Sequence, residues 1–135
     1  FEHKVWWITG ASSGIGAALA EALAQKGAKL ILSGRNEAAL AEPRREAELL
    51  NLPFEAADFA RLPTLVEQAW SWAAPHGGIY GLVNNAGVSQ RSLAVDTAFE
   101  VYRRIVDIDL MAPIALTQVL LPRMIDAGGG RIVAI

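Results

Sequence analysis

The amino-acid sequence predicts an α/β fold in which helices cover both faces of a doubly wound parallel β-sheet. A short apolar run at residues 5–8 is followed at once by a glycine-rich turn at residues 9–16 and a helical pattern at residues 17–26. Short apolar runs then alternate with helical patterns along the rest of the chain, which is typical of right-handed βαβ crossovers. The motifs described below follow strand ends, where such sheets bind ligands.

The remaining elements follow from apolar periodicity and from glycine and proline positions. The predicted strands are residues 5–8, 29–33, 53–57, 79–83 and 131–135. The predicted helices after the first are residues 37–50, 62–74 and 97–127. We expect Pro43 to kink the second helix or to mark its true beginning, and Pro113 to interrupt the last helix, because proline is costly inside a helix.

Composition limits the possible functions. The chain has 135 residues, 53% of them hydrophobic, which is enough for one domain with a substantial core. Its net charge of −2 and scattered arginines argue against nucleic-acid binding. The absence of cysteine excludes disulfides and thiol catalysis, and the isolated His3 and His76 predict no metal site. The sequence has no apolar run of about 20 residues, the length that a membrane span requires. We therefore expect a cytoplasmic protein, and the alternative is a protein whose anchor or signal has been removed upstream of Phe1.

The glycine-rich turn predicts a phosphate site. A helix N-terminus offers unpaired N–H groups and a partial positive charge, and glycines let a pyrophosphate approach the backbone closely. The spacing is T-G-x-x-x-G-x-G, and a glycine turn that binds nothing is the alternative. The predicted contacts are Gly10, Ser12, Ser13, Gly14, Ile15 and Gly16.

This spacing is the glycine motif of the short-chain dehydrogenase/reductase family, and the chain resembles that family from end to end. The resemblance implies a Rossmann-type sheet with strand order 3-2-1-4-5, truncated after the fifth strand. It also implies that residues 1–135 form a single NAD(P)-binding domain, incomplete at its C-terminal end. The extended branch of sugar-nucleotide epimerases is disfavoured, because those proteins resemble T-G-x-x-G-x-x-G instead.

The residues after the second strand indicate the coenzyme. An NAD site places an acid about 20 residues after the glycines to bind the ribose hydroxyl, whereas an NADP site accommodates the 2′-phosphate with arginine. The chain has Ser33-Gly34-Arg35-Asn36 there, with no acid among these residues. We therefore expect NADP(H) rather than NAD(H), bound by Arg35 with Asn36 beside it; a solvated loop arginine is the alternative.

Two further motifs carry expected coenzyme contacts. By resemblance, Asp58 meets the adenine amino group and Phe59 offers its backbone N–H to the ring, although an acid before a helix is also a common N-cap. Asn84-Asn85-Ala86-Gly87 matches the family signature N-N-A-G, so Asn85, Ala86 and Gly87 are expected beside the coenzyme. A plain turn is the alternative reading of that motif.

One catalytic position departs from the family pattern. Residues 108–124 match a family segment in which an asparagine helps to hold a water between the catalytic lysine and solvent, and this chain has Asp109 there. We expect the substitution to impair turnover without affecting the fold or coenzyme binding.

The remaining family catalytic residues are not in the sequence. Tyr80 and Tyr102 are followed at the fourth position by Asn84 and Val106, so no Tyr-x-x-x-Lys exists, and no serine follows the fifth strand. The resemblance still implies a parent enzyme that interconverts a carbonyl and an alcohol by hydride transfer, with a small, lipophilic substrate and a homodimeric or homotetrameric state. A nucleotide-binding sensor or scaffold that has lost catalysis is the competing hypothesis, and Asp109 favours it.

Overall fold

The computed structural model describes residues 1–41 and 47–135 and contains five strands and five helices in these ranges. The strands are β1 (Val5–Thr9), β2 (Lys29–Ser33), β3 (Leu49–Asn51), β4 (Ile79–Asn84) and β5 (Arg131–Ala134). The helices are α1 (Gly14–Gln25), α2 (Glu37–Leu40), α3 (Leu62–Ala73), α4 (Phe99–Val106) and α5 (Ala112–Asp126). A π-helical turn, Asp107–Met111, joins α4 to α5.

The sheet confirms the predicted architecture. All four strand pairs are parallel and the order is β3-β2-β1-β4-β5. β1 therefore lies at the centre, and its carboxyl end meets those of β2 and β4. This is the switch point of the strand order, where a doubly wound sheet leaves a crevice.

The two faces of β1 belong to two hydrophobic clusters. Val5 and Trp7 pack with α3 and α5, whereas Trp6 and Ile8 pack with α1 and α2. Every residue of β1 is buried, as expected for a parallel strand that is covered on both faces. The cluster on the α1 side includes Ala20, Leu23 and Leu40.

The predicted third strand and second helix are partly wrong. Residues 49–51 pair with β2, so Leu49 and Leu50 are in a strand and not at the end of a helix. The predicted strand at 53–57 is displaced because Pro53 has no N–H for the ladder, although Phe54 N still donates to Gly34 O at 3.2 Å. Residues 42–46, including the kink expected at Pro43, lie outside the described residues.

The long helical region is interrupted as predicted. The π-helical turn ends just before Pro113, which lies in the first turn of α5, where the missing N–H of a proline is tolerated. Asn84 Nδ2 donates to Thr117 Oγ1 at 3.2 Å and so ties β4 to α5. The structure therefore places Asp109 in a wide helical turn beside the end of β4.

The helical region Phe99–Asp126 is also long and apolar enough to cross a membrane, with a mean hydropathy of 1.6 over its most apolar 18 residues. Length and composition are weak evidence for a span, because core helices of water-soluble folds meet the same criteria. Leu116, Leu120 and Met124 on this helix are buried against the sheet and α3.

A cluster of charged side chains stabilises the edge of the sheet opposite the carboxyl ends. The Glu48 carboxylate pairs with Lys29 Nζ, and its other oxygen lies 3.0 Å from His76 Nε2. The hydrogen bond from Lys29 is the main reason why the pKa of Glu48 is below its ordinary value of 4.5. The carboxylate is half exposed, so salt screens its contribution.

We predict that Glu48→Gln causes a small decrease in the free energy of unfolding at pH values above about 5. The difference from the wild type should disappear as the pH falls below about 4. A carboxyl with a depressed folded pKa stabilises only where it is ionised, so protonation removes its contribution in acid. Thermal unfolding of both proteins across this range provides the measurement. Glu100→Gln is the control, because the described residues show no ion pair at Glu100; an equal loss in the two variants would contradict the prediction.

Candidate functional site

A cavity of about 270 Å³ opens at the carboxyl ends of β1, β2 and β4. We call it the main cavity. The cofactor-site residues predicted from sequence that line it are Gly10, Ser12, Ser13, Ile15, Arg35, Asn85, Ala86 and Gly87. Three separate stretches of predicted site residues therefore converge on one crevice at the switch point of the sheet.

The glycine turn brings the backbone of β1 against the loop after β4. Gly10 has φ +66, and a Cβ there would lie 2.8 Å from Ala86 Cα. A Cβ on Gly16 would lie 2.3 Å from Gly10 O and 2.5 Å from Asn85 Nδ2. Real Cβ atoms do not approach other atoms so closely, and these positions accept only glycine without a backbone shift.

A hydrogen-bond network between β1 and the end of β4 holds this arrangement. Asn85 Nδ2 donates to Thr9 O at 3.1 Å and to Gly10 O at 3.2 Å. The backbone N–H groups of Asn85 and Ala86 both donate to Thr9 Oγ1 at 3.0 Å, and that hydroxyl donates in turn to Val83 O. The loop is therefore fixed by its own side chain and backbone before any ligand binds.

The N-terminus of α1 faces the main cavity. Ser13 is the N-cap residue and makes no capping hydrogen bond through its side chain in the described structure. Gly14 has φ +54, and no described atom lies within 4 Å of the position of a Cβ there. The first amides of α1 thus remain available to an anion, as the sequence predicts, and the exposed Ile15 side chain lines the cavity beside them.

The end of β2 supplies a cation at the other end of the main cavity. Arg35 is exposed and lines the cavity, whereas Asn36 caps α2 by accepting a hydrogen bond from Ala39 N at 3.1 Å. Asn36 therefore has a structural role in the free protein. A Cβ on Gly34 would lie 3.0 Å from Ser12 Oγ, so the backbone before Arg35 packs directly against the glycine turn.

Five predicted contacts do not line the main cavity, namely Gly14, Gly16, Asn36, Asp58 and Phe59. Asp58 precedes a short 3₁₀ turn, Phe59–Arg61, and makes no capping hydrogen bond through its side chain in the described structure. Phe59 is 39% exposed. Neither the adenine contact nor the N-cap alternative is observed for Asp58, and both roles stay predictions.

Sequence reasoning missed part of the cavity wall. Phe54, Glu55 and Ala56 also line the cavity and follow the segment that pairs with the end of β2, and Val88 and Ile108 line it near the loop after β4. Residues 54–56 were assigned to a strand, and their position just past the true end of β3 is the signal that could have identified them. Ile108 could not be found from sequence, because the π-helical turn decides which way it points.

Asp109 connects the helical turn to the loop after β4. Its Oδ1 accepts a hydrogen bond from Val88 N at 2.8 Å, and the side chain is exposed. It also lines a second cavity of about 260 Å³, which lies beside the main cavity and shares Asn85, Ala86 and Gly87 with it. The other walls of this second cavity are Asn84, Leu110, Pro113, Ile114, Ala134 and Ile135.

The fold and the glycine-lined crevice define a dinucleotide-binding type of protein, and comparison with known proteins identifies the family. The family model described as short chain dehydrogenase matches residues 4–135. The chain belongs to the short-chain dehydrogenase/reductase family, whose curated members among its relatives are oxidoreductases.

Individual relatives agree with this assignment. The chain is 36% identical over 140 residues to "Dehydrogenase/reductase SDR family member 7" of Homo sapiens, and 39% identical over 134 residues to family member 7B of Mus musculus. These matches cover 97% and 95% of the chain but 40% and 42% of the two relatives. The chain thus spans less than half the length of these curated relatives.

Solved structures show the same fold. A short-chain dehydrogenase from Streptomyces avermitilis superposes with a TM-score of 0.82 at 33% identity, covering 97% of this chain and 48% of that one. A metagenomic short-chain oxidoreductase in complex with NADP superposes with a TM-score of 0.87 at 27% identity, covering 99% of this chain and 62% of that one.

We predict that Gly16→Ala lowers the free energy of unfolding by about 1–3 kcal/mol, the usual cost of forcing an extra carbon into a packed site. The added Cβ would push Asn85 away from Gly10 and distort the main cavity. Denaturant unfolding measures the loss. Gly14→Asn is the matched control, since asparagine tolerates a positive φ and the site has open space. Equal stability of Gly16→Ala and the wild type would contradict the prediction.

Proposed function

We propose that the chain is the coenzyme-binding part of an NADP(H)-dependent oxidoreductase that interconverts a carbonyl and an alcohol by hydride transfer. The observation that carries this proposal is the main cavity, where the N-terminus of α1 and Arg35 lie in one crevice. A pyrophosphate and a 2′-phosphate are the anionic groups of NADP that match these two positions. The NADP complex of the metagenomic relative supports the same coenzyme class.

The residues present fit this coenzyme. The glycines leave room for a pyrophosphate close to the backbone, and the amides at the start of α1 would bind it. Arg35 would form a charge-assisted pair with the 2′-phosphate, and residues 33–36 after the glycine turn include no acid, although the Glu55 side chain lines the same cavity. Asn85, Ala86 and Gly87 would border the sugar near the nicotinamide. When bound, the coenzyme supplies the hydride, and this chain's residues orient it.

The second cavity supports a lipophilic substrate. Leu110, Pro113, Ile114 and Ile135 form an apolar wall, and Asp109 is the charged side chain that lines it. The cavity adjoins the loop that would border the reactive end of the coenzyme. We therefore place a small carbonyl or alcohol substrate with an apolar body at this end of the site.

The proposal also covers the domain organisation, the localisation and the oligomeric state of the protein. Residues 1–135 act as one coenzyme-binding domain, and the protein functions in the cytoplasm. It assembles into a homodimer or homotetramer through the exposed apolar row that α4, the π-helical turn and α5 present. This row contains Val106, Leu110, Ile114, Leu121 and Ile125.

A coenzyme-binding sensor or scaffold without catalysis is the second candidate. Asp109 favours it, because the family position carries an asparagine and a carboxylate would pair with a lysine instead of relaying protons. In this structure the carboxylate accepts a hydrogen bond from Val88 N, so it already has a role in holding the loop after β4. Under this candidate the coenzyme binds in the main cavity but no hydride is transferred.

We predict that Arg35→Ala weakens NADPH binding about ten- to hundred-fold and leaves NADH binding nearly unchanged, since it removes one charge-assisted contact to the 2′-phosphate. Fluorescence titration of both coenzymes tests the proposal. Arg61→Ala is the control, because Arg61 is exposed and does not line the main cavity. Equal affinity of the wild type for NADPH and NADH would refute the coenzyme assignment.

We predict that Asp109→Asn raises turnover in the intact protein with little change in the dissociation constant for NADPH, because an amide oxygen can still accept the hydrogen bond from Val88 N. Asp109→Ala removes that acceptor and should weaken NADPH binding about ten-fold. Steady-state rates and binding titrations separate the two effects. A lower rate in Asp109→Asn would show that the carboxylate takes part in the mechanism.

A further inference from the structure

A buried hydrogen-bond chain lies directly beneath the main cavity. Trp7 Nε1 donates to Ser33 Oγ at 2.9 Å, and Ser33 Oγ donates to Leu52 O at 2.8 Å. Trp7 is 0% exposed, Ser33 1% and Leu52 8%. These hydrogen bonds therefore join β1, the end of β2 and the segment after β3 in a region from which water is excluded. A hydrogen bond that is left unmade in such a region is costly.

Ser33 is the last residue of β2, and it is fixed on two sides. Its backbone O accepts a hydrogen bond from Ala11 N at 2.9 Å, while its side chain accepts from Trp7 and donates to Leu52. Trp7 pairs with Ile31 in the sheet, so its indole must extend along the strands to reach Ser33. This long-range contact does not follow from the strand register alone.

Two segments that line the main cavity begin next to the residues of this hydrogen-bond chain. Gly34 and Arg35 follow Ser33, and Phe54 and Glu55 follow Leu52 two residues later. One further hydrogen bond joins the two segments, from Phe54 N to Gly34 O at 3.2 Å. Leu52 N also donates to Leu32 O at 2.9 Å, so backbone pairing and the Trp7–Ser33–Leu52 hydrogen bonds together hold the two segments.

We infer that Trp7, acting through Ser33, is a positioning residue that sets the width of the main cavity between Arg35 and residues 54–56, and with it the preference for NADPH over NADH. This inference rests on the proposed function for its ligand, but the geometry of the two segments can be tested without any ligand. Trp7 is fully buried and does not line the main cavity, so it is not expected to touch the coenzyme. It holds in place the segment that carries Arg35.

The neighbouring residue provides a matched control. Trp6 lies on the opposite face of β1 and is 7% exposed, and its Nε1 has no hydrogen-bond partner in the described part of the chain. Trp6→Phe and Trp7→Phe therefore make the same chemical change at adjacent buried positions. Only Trp7→Phe removes a hydrogen bond that leads to the cavity.

The first test is amide hydrogen exchange on the protein without coenzyme. We expect Trp7→Phe to raise the exchange rate at Phe54 about three- to ten-fold, the equivalent of one lost neutral hydrogen bond, and Trp6→Phe to leave it unchanged relative to the other amides. Ser33→Ala, which removes both side-chain bonds, should have at least the same effect. An unchanged rate at Phe54 in Trp7→Phe overturns the inference, whichever coenzyme the protein binds.

The second test is the ratio of the dissociation constants for NADH and NADPH. We expect Trp7→Phe to lower this ratio about three- to ten-fold and Trp6→Phe to leave it at the wild-type value. In an Arg35→Ala background, Trp7→Phe should have no further effect on the ratio, because the group that it positions is absent. A general loss of stability would instead weaken both coenzymes alike.

The two tests separate failure of the inference from failure of the proposed function. A wild-type protein without preference for NADPH refutes the proposed coenzyme, and the exchange rates then decide alone whether Trp7 positions the two segments. Faster exchange with an unchanged coenzyme ratio overturns the role of Trp7 in specificity. An equal drop of the ratio in Trp6→Phe overturns it as well.

Discussion

The close contact between β1 and the loop after β4 is the constraint on which the candidate site depends. The Asn85 amide donates to the carbonyls of Thr9 and Gly10, and it can reach them only because Gly16 has no Cβ. The same contact places the first amides of α1 at the edge of the crevice. Groups that the fold already fixes need no rearrangement when a ligand binds.

The site divides into two halves with different supports. The half near α1 depends on backbone geometry, where glycines bring chain segments together and a hydroxyl satisfies two amides at once. The half near Arg35 depends on buried side chains, namely the Trp7–Ser33–Leu52 chain. Trp7 supports this half from the buried side of the sheet, while Ser33 itself lines the main cavity.

The π-helical turn before α5 connects the fold to the chemistry. The turn precedes α5 and directs Ile108 into the main cavity and Asp109 toward Val88. Asp109 thus holds the loop after β4 from the helical turn. The second cavity beside it has a wall that includes Leu110, Pro113 and Ile114.

The sequence by itself determined the fold class and the convergence of the glycine turn, Arg35 and the loop after β4, because these follow from local periodicity and from the rule that parallel strands share one carboxyl edge. The strand order was expected only from the resemblance to the family, and the observed strand pairing confirms it. The tertiary structure alone decided the position of β3, since three residues on an edge strand carry too little pattern and depend on pairing with β2. It also decided the partner of the Trp7 indole and the direction of Ile108. Both are long-range consequences of packing, on which local sequence carries no information.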